Sequence, residues 1–432
     1  MGLSRNDRSI AAFTMTGHGL VHWFETAIPI FLVVWLREID VSVAVLGLVL
    51  AAGYAPFGIG ALPAGILADR FGTKRLIVVC LFGMSGSFLL LSLADSIVGI
   101  AVGLICWGVA ASIYHPAGLS LISTGVESRG RVFAWHGMAG NVGIALGPFV
   151  AATLLVIGLP WQHAAAVLAI PGIIAAIYGL GADFDPTAAV ADDANAEPDE
   201  ALSVTELIAN TRVLFASAFA LVFVIVTFEG LFYRGMLTYL PQLLHDSTAL
   251  AGFDPGPTFE GIEPADYIYV GLLVIGIAGQ YVGGHLTERL APGRGLFLIF
   301  AILGTLALAF LPVLSLAGGA TTGVLAVVSL SAIFGFFLFA IQPFYQEAVA
   351  VYTPPDSRGL SYGYTYLGEF GLGAGSIAIG GVVLGISTGA FLLTMAAFAI
   401  TGSILSILLA TGLSRWRGTD RPGSRATSQS ES

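Results

Sequence analysis

The chain has 432 residues, 56% of them hydrophobic and 10% charged, with a formal net charge of −10 and a mean hydropathy of +0.89. So few charges cannot coat a water-facing surface of this size, because an ordinary soluble domain carries about 25%. A soluble enzyme and a nucleic-acid-binding protein are excluded, and lipid is the solvent for much of the chain.

A helix that crosses a bilayer needs about 20 apolar residues. Runs of that kind are predicted at 9–36, 42–68, 75–94, 97–123, 131–158, 161–181, 211–241, 266–288, 295–316, 320–351, 358–386 and 388–413, twelve in all. The first run contains His18, His22 and Glu25 and is too long and too polar for a signal-peptide core. Residues 182–210 are acidic, contain Pro and lack a spanning run, so they divide the chain into halves at 1–181 and 211–413. Residues 242–265 form a second polar stretch with Asp254, Glu260 and Glu263. The polar tail 414–432 is expected to be disordered.

Lys and Arg set the orientation. With the N-terminus inside, fifteen of the seventeen basic residues fall on the cytoplasmic side; Arg37 falls outside and Arg234 lies within a span. Both termini and the acidic linker are therefore expected in the cytoplasm of a multi-pass cell-membrane protein. Acidic loops suit solvation at high salt, so a halophilic prokaryotic host is one reading of the net charge, and an ordinary acidic linker is the other.

The halves carry matching landmarks. Gly65-Ile-Leu-Ala-Asp69-Arg70-Phe-Gly72-Thr-Lys74-Arg75 follows the second span, and Gly284-His-Leu-Thr-Glu288-Arg289-Leu-Ala-Pro-Gly-Arg294 follows the eighth. Ser128-Arg129-Gly130 precedes the fifth span and Ser357-Arg358-Gly359 the eleventh. Within those spans Gly140-Asn141-x-Gly143-x-x-x-Gly147 parallels Gly368-Glu369-x-Gly371-x-x-x-Gly375. Both copies of each landmark fall on one membrane side, which makes the repeat parallel: an all-α fold of six helices plus six.

That arrangement, with the string Gly65–Arg75, resembles the major facilitator superfamily and its signature loop Gly-x-x-x-Asp-Arg-x-Gly-x-Lys/Arg-Arg. The resemblance implies alternating access around a midplane substrate site. It also implies that Asp69 faces helix ends of the other half and pairs with nearby Arg when the cytoplasmic side closes. Gly65, Asp69, Arg70, Gly72, Lys74 and Arg75, with their repeat mates Glu288 and Arg289, then form a gating loop; the plainer reading is a topogenic basic loop. His18, His22, Tyr114-His115-Pro116, Gly140-Asn141-x-Gly143, Gly147-Pro148 and Gln346-Glu347 resemble the fosmidomycin-resistance branch. Gly143-x-x-x-Gly147-Pro148 also resembles part of the antiporter motif of drug exporters, although Ala151-Ala152 stand where that motif has two glycines.

Ionisable groups at membrane depth cost about 2.5–3.5 kcal/mol each on insertion scales, so each is a pathway candidate or a satisfied structural group. His18 and His22 share one face of the first span, and Glu25 neighbours His22. Glu229 and Arg234 lie about 140° apart on the seventh span and are poor partners for each other. The Arg234 fork suits a carboxylate or phosphonate, the other reading being an ion pair with Glu229 or Glu369. Arg234 precedes Pro241 by seven residues, as His22 precedes Pro29, so the two are expected at related cavity positions. His115, Asn141, Gln342, Gln346, Glu347 and Glu369 complete the candidate substrate and proton pathway.

No P-loop, no His-Glu-x-x-His and no Cys/His zinc spacing occurs, and Cys80 and Cys106 sit inside apolar runs. No ATP drive, catalytic centre, metal or other cofactor is expected. The leading expectation is a proton-coupled secondary transporter, monomeric in the bilayer, that exports a small amphiphilic or anionic compound. Proton-coupled uptake of a small organic anion, and a non-transporting sensor on the same fold, are the alternatives.

Overall fold

The computed structural model describes residues 3–189, 204–253, 263–318, 320–354 and 358–412, the side chains of Asp69, Val204 and Arg358 excepted. The acidic stretch at 190–203, Asp254, Glu260 and the tail lie outside the described residues. Among the described residues, twelve helical spans are long and apolar enough to cross a membrane. Their elements are α1 (Arg5–Glu38), α2 (Val43–Ile59), α3 (Ala61–Phe71), α4 (Thr73–Leu91), α5 (Ile97–Ala111), α6 (Tyr114–Gly125), α7 (Arg129–Val156) and α8 (Trp161–Gly181) in the first half. The second half contains α10 (Phe219–His245), α11 (Pro264–Thr287), α12 (Pro292–Leu314), α13 (Thr321–Tyr352), α14 (Arg358–Tyr366), α15 (Gly375–Leu384) and α16 (Thr388–Gly412). Between the halves lies α9 (Val204–Phe215).

Local chemistry sets several boundaries. The Ser4 hydroxyl caps α1 by accepting from Asp7 N at 2.9 Å, and the Asp7 carboxylate accepts from Glu127 N and Ser128 N ahead of α7. Spans two and four are each broken in two. Proline cannot donate to the carbonyl four residues back. Pro63 releases Ile59, where α2 ends, and Pro116 releases Ser112, which caps the end of α5. The seventh span begins at Phe219 and not at 211, because 204–215 form a helix of their own that turns at Ala216–Ala218.

The two halves repeat the same packing. Spans one and five, two and four, and three and six pack in the first half, as seven and eleven, eight and ten, and nine and twelve do in the second. Small residues permit the approach. A methyl group on Gly143 would sit 1.9 Å from the Gly19 carbonyl oxygen of α1, and one on Gly279 would sit 1.9 Å from that of Phe336 in α13. In lipid such close packing replaces the hydrophobic drive between helices. Apolar side chains such as Val79, Val109, Ile174 and Ile404 lie exposed on the outside, as lipid-facing positions do.

The halves meet tightly at the end opposite the termini. There Arg37 Nη2 donates to His245 Nδ1 at 3.3 Å, and His245 Nε2 donates to Asp266 Oδ1 at 2.8 Å. Gly47 of α2 lies against Tyr239 and Gly381: a methyl group on it would sit 2.4 Å from Tyr239 Oη. Toward the termini a chain of cavities of about 300, 510 and 650 Å³, sharing Leu119 and Tyr366, leads away from the middle of the bundle. The molecule is thus closed at one end and open at the end where α1 begins and α16 ends.

Gly47→Val is expected to push this seal apart. Spin labels on the exposed Leu48 and Ile386 should then report a longer distance between the halves than in the parent protein; an unchanged distribution would show that Gly47 is no part of the seal.

Candidate functional site

The middle of the bundle is built around an ion pair that joins the halves. Glu25 of α1 pairs through Oε1 with Arg234 Nη1 of α10, and both residues are buried, at 3% and 5% exposure. His22 Nδ1 meets the second carboxylate oxygen of Glu25 at 2.6 Å. Tyr54 Oη of α2 donates to the Glu25 backbone carbonyl at 2.6 Å. The Arg234 guanidinium lies 4.2 Å from the Phe370 ring centroid and 5.4–5.6 Å from those of Tyr233 and Tyr54. An arginine in hydrocarbon needs a counter-charge and aromatic faces of this kind. Arg234 Nε has no hydrogen-bond partner among the described residues. Beyond the pair, toward the closed end, lies a void of only about 10 Å³ lined by Pro29, Leu237 and Tyr269 among others.

Histidines fill the neighbouring wall. His18 Nε2 lies 3.1 Å from His22 Nε2, and His18 Nδ1 donates to the His136 carbonyl at 2.7 Å. The His136 ring stacks on His18 with centroids 3.9 Å apart, and Tyr114 Oη lies 3.2 Å from His136 Nε2. His115 faces both, its ring centroid 5.3 Å from that of His18 and 5.6 Å from that of His22.

The opposite wall comes from the eleventh span, which changes its winding at the site. Leu367–Leu372 form a π-helix, with Gly373 N bonded to the Gly368 carbonyl at 2.9 Å. Such single-turn bulges re-aim side chains at functional sites. Glycines admit the bulge, since a methyl group on Gly230 would sit 2.3 Å from the Glu369 carbonyl oxygen and one on Gly58 2.0 Å from Gly371 N. Glu369 accepts from Tyr345 Oη at 2.9 Å.

One cavity of about 300 Å³ collects most of the residues marked in the sequence: His22, Glu25, His115, Asn141, Arg234, Gln342, Gln346 and Glu369 line it. The repeat-related pairs His22 with Arg234 and Asn141 with Glu369 both reach it. Two candidates do not. Glu347 is exposed and off the lining, because Gln342 and Gln346 share one face of α13 and Glu347 lies about 100° further round. Glu229 is buried outside the lining, with no hydrogen-bond partner for either carboxylate oxygen among the described residues. The partner of Arg234 is Glu25, and neither Glu229 nor Glu369, the two acids named in the alternative reading, since the seventh span faces the first across the two halves. His136 and Tyr54 were not anticipated. His136 stands five residues from Arg131, close enough to the membrane edge to be discounted, and Tyr54 is one aromatic among many.

The gating-loop residues stand at the open end. Gly72 has φ +85°, a conformation that only glycine adopts without strain. Lys74 donates to the Ala182 carbonyl and lies over the Phe184 ring, which ties the loop to its own half. Gly65 lines the outermost cavity. Arg70, Arg75, Glu288 and Arg289 are exposed and form no ion pair across the halves among the described residues. The Asp69 side chain lies outside the described residues.

A sequence model of the Major Facilitator Superfamily matches residues 14–378. The gallate transporter of Pseudomonas putida is 29% identical over 421 residues, covering 89% of this chain and 87% of that protein. The nitrite extrusion protein of Bacillus subtilis (strain 168) is 26% identical over 288 residues, 66% of each. In structure the chain is similar to a bacterial homologue of the human lysosomal transporter Spinster in its inward-facing, unoccupied conformation. That likeness has a TM-score of 0.74 at 15% identity, covering 96% of this chain and 99% of the other. These relatives and this fold belong to transporters, not to enzymes.

A buried carboxylate without a partner is costly. Glu229→Met should therefore raise the thermal unfolding midpoint in detergent, by the equivalent of about 1–3 kcal/mol, since it removes the unsatisfied polar atoms at similar volume; a lowered midpoint would reveal a partner that holds Glu229 in place.

Proposed function

This chain belongs to the Major Facilitator Superfamily, and on that premise we propose that it is a secondary active transporter that takes up a small organic anion together with protons. The observation that carries the reading is the buried pair between Glu25 and Arg234, one residue from each half, at the blind end of the cavity. A substrate carboxylate suits the Arg234 fork as well as Glu25 does. When the anion takes Arg234, Glu25 is left buried without its cation. Such a group is neutralised by a proton rather than kept charged, and His22, 2.6 Å away on the cavity wall, is placed to deliver it. Anion and proton then occupy the same loaded state and cross in the same direction.

The bias of Lys and Arg supports an orientation with the termini, and with them the open end, on the cytoplasmic side. The conformation described is then the inward-open one, from which an accumulated anion is released. A relative named for gallate, aligned over most of the chain, supports a carboxylate cargo. The residues that suggested export, Gly143 and Gly147, have a packing role that is independent of direction: both seat α7 on the backbone of α1.

Proteoliposomes with an alkaline interior test the reading, with gallate as the first probe and benzoate and galactonate beside it. Accumulation should follow the inward proton gradient. Glu25→Gln should keep exchange and lose gradient-driven accumulation. Arg234→Lys should lower anion affinity at least about tenfold, or about 1.4 kcal/mol. Efflux driven by the same gradient would reverse the assigned direction, and proton flux with none of these carboxylates would remove the cargo class.

Asp69→Asn is expected to insert normally yet slow transport, by weakening the cytoplasmic closure that the loop supplies when the open end shuts. Uptake rates equal to those of the parent would leave the loop a topogenic role only.

A further inference from the structure

Two imidazoles in the cavity wall aim the same kind of atom at each other. His18 Nδ1 lies 2.7 Å from the backbone carbonyl of His136, which can only accept, so Nδ1 carries the hydrogen. His22 Nδ1 lies 2.6 Å from Glu25, whose carboxylate is ion-paired with Arg234 and therefore accepts as well. In the neutral rings both lone pairs then sit on Nε2, and these atoms face each other at 3.1 Å. Lone pairs at that distance repel unless a cation lies against both. A third imidazole stands beside them. His115 is buried, at 4% exposure, and its Nδ1 has no hydrogen-bond partner among the described residues. One nitrogen from each of the three rings lies within 4.8 Å of the others.

We propose that His18, His22 and His115 form a site for one divalent transition-metal ion of the zinc type, with its fourth position open to the central cavity. Bonds of about 2.0–2.1 Å in a tetrahedron set ligand nitrogens about 3.4 Å apart. The His18–His22 pair is already near that spacing, and His115 closes a gap of at most about 1.4 Å, within reach of its side-chain torsions. Three neutral imidazoles select zinc, copper, nickel or cobalt over magnesium and calcium, which prefer oxygen. The outer partners fit as well. A metal-bound imidazole characteristically donates its other N–H to a carboxylate or a backbone carbonyl, and Glu25 and His136 supply one of each. The ion brings two positive charges to an uncharged ligand set, so the open position favours an anionic oxygen ligand entering from the cavity. No linear motif announces the site, because the third ligand comes from another span. The assignment rests on ring geometry and does not depend on the direction or cargo of transport.

The test uses the full chain, purified in detergent and stripped with a chelator, and titrated calorimetrically with Zn²⁺ alone at pH 7.5. One ion per chain is expected, with X-ray absorption showing three nitrogen scatterers at about 2.0–2.1 Å. His22→Gln should weaken binding at least about 100-fold and Glu25→Gln about 10–100-fold. Replacing His163 and His285, both exposed and outside the cavity, with Gln should leave binding unchanged. If His22→Gln is not monodisperse, the absorption spectrum of the parent protein decides. Absence of stoichiometric binding overturns the proposal. So does binding that survives His22→Gln but is lost with the two exposed histidines. Nitrogen-15 spectra showing a proton shared between His18 and His22 that excess Zn²⁺ does not displace overturn it too. Because no transport substrate is used, failure here leaves the anion reading standing, and failure of that reading leaves this one.

Discussion

An arginine and a glutamate held out of water at the seam between two half-proteins constrain everything around them. Each charge alone is costly in the hydrocarbon interior, and each is tolerated because the other half supplies its partner. The Glu25–Arg234 pair is therefore both a fastener between the halves and the floor of the cavity. Whatever competes for Arg234 also acts on the fastening. This gives a physical route from ligand binding to rearrangement of the halves, since a ligand moves such an equilibrium only through unequal contacts in its two states.

The surrounding architecture keeps that pair deep while leaving one approach to it. Glycines bring α2 against the eleventh span, and Gly230 lets α10 press on the π-helix that presents Glu369. At the closed end the contacts are short and specific, from Arg37 to His245 and from Gly47 to Tyr239. At the open end the loop is tied to its own half through Lys74 and Ala182. The asymmetry lies between the ends of the bundle, while the packing within each half is repeated. That is the arrangement expected of rigid halves that rock about a fixed midplane site.

Much of the site was legible as chemistry but not as partnership. Eight of the marked residues converge on one cavity because polar groups at membrane depth are too costly to scatter at random. Helical periodicity gave His18, His22 and Glu25 a common neighbourhood. It also separated Glu229 from Arg234, and the structure keeps those two side chains unpaired with each other among the described residues. What failed was depth and facing. Glu347 turned away by a single helical step, and His136 entered because its carbonyl and ring both meet His18.

The sequence by itself determined the solvent, the number of spans, the repeat and the separation into halves. Those follow from apolar run lengths and from landmarks that recur at matching places along the chain. Only the tertiary structure decided that Arg234 meets Glu25, that three histidines from two spans converge, and that one end of the cavity is shut. Those facts depend on how helices hundreds of residues apart are rotated and seated against each other. Glycine contacts summed over the whole bundle set that seating, and no local pattern encodes it.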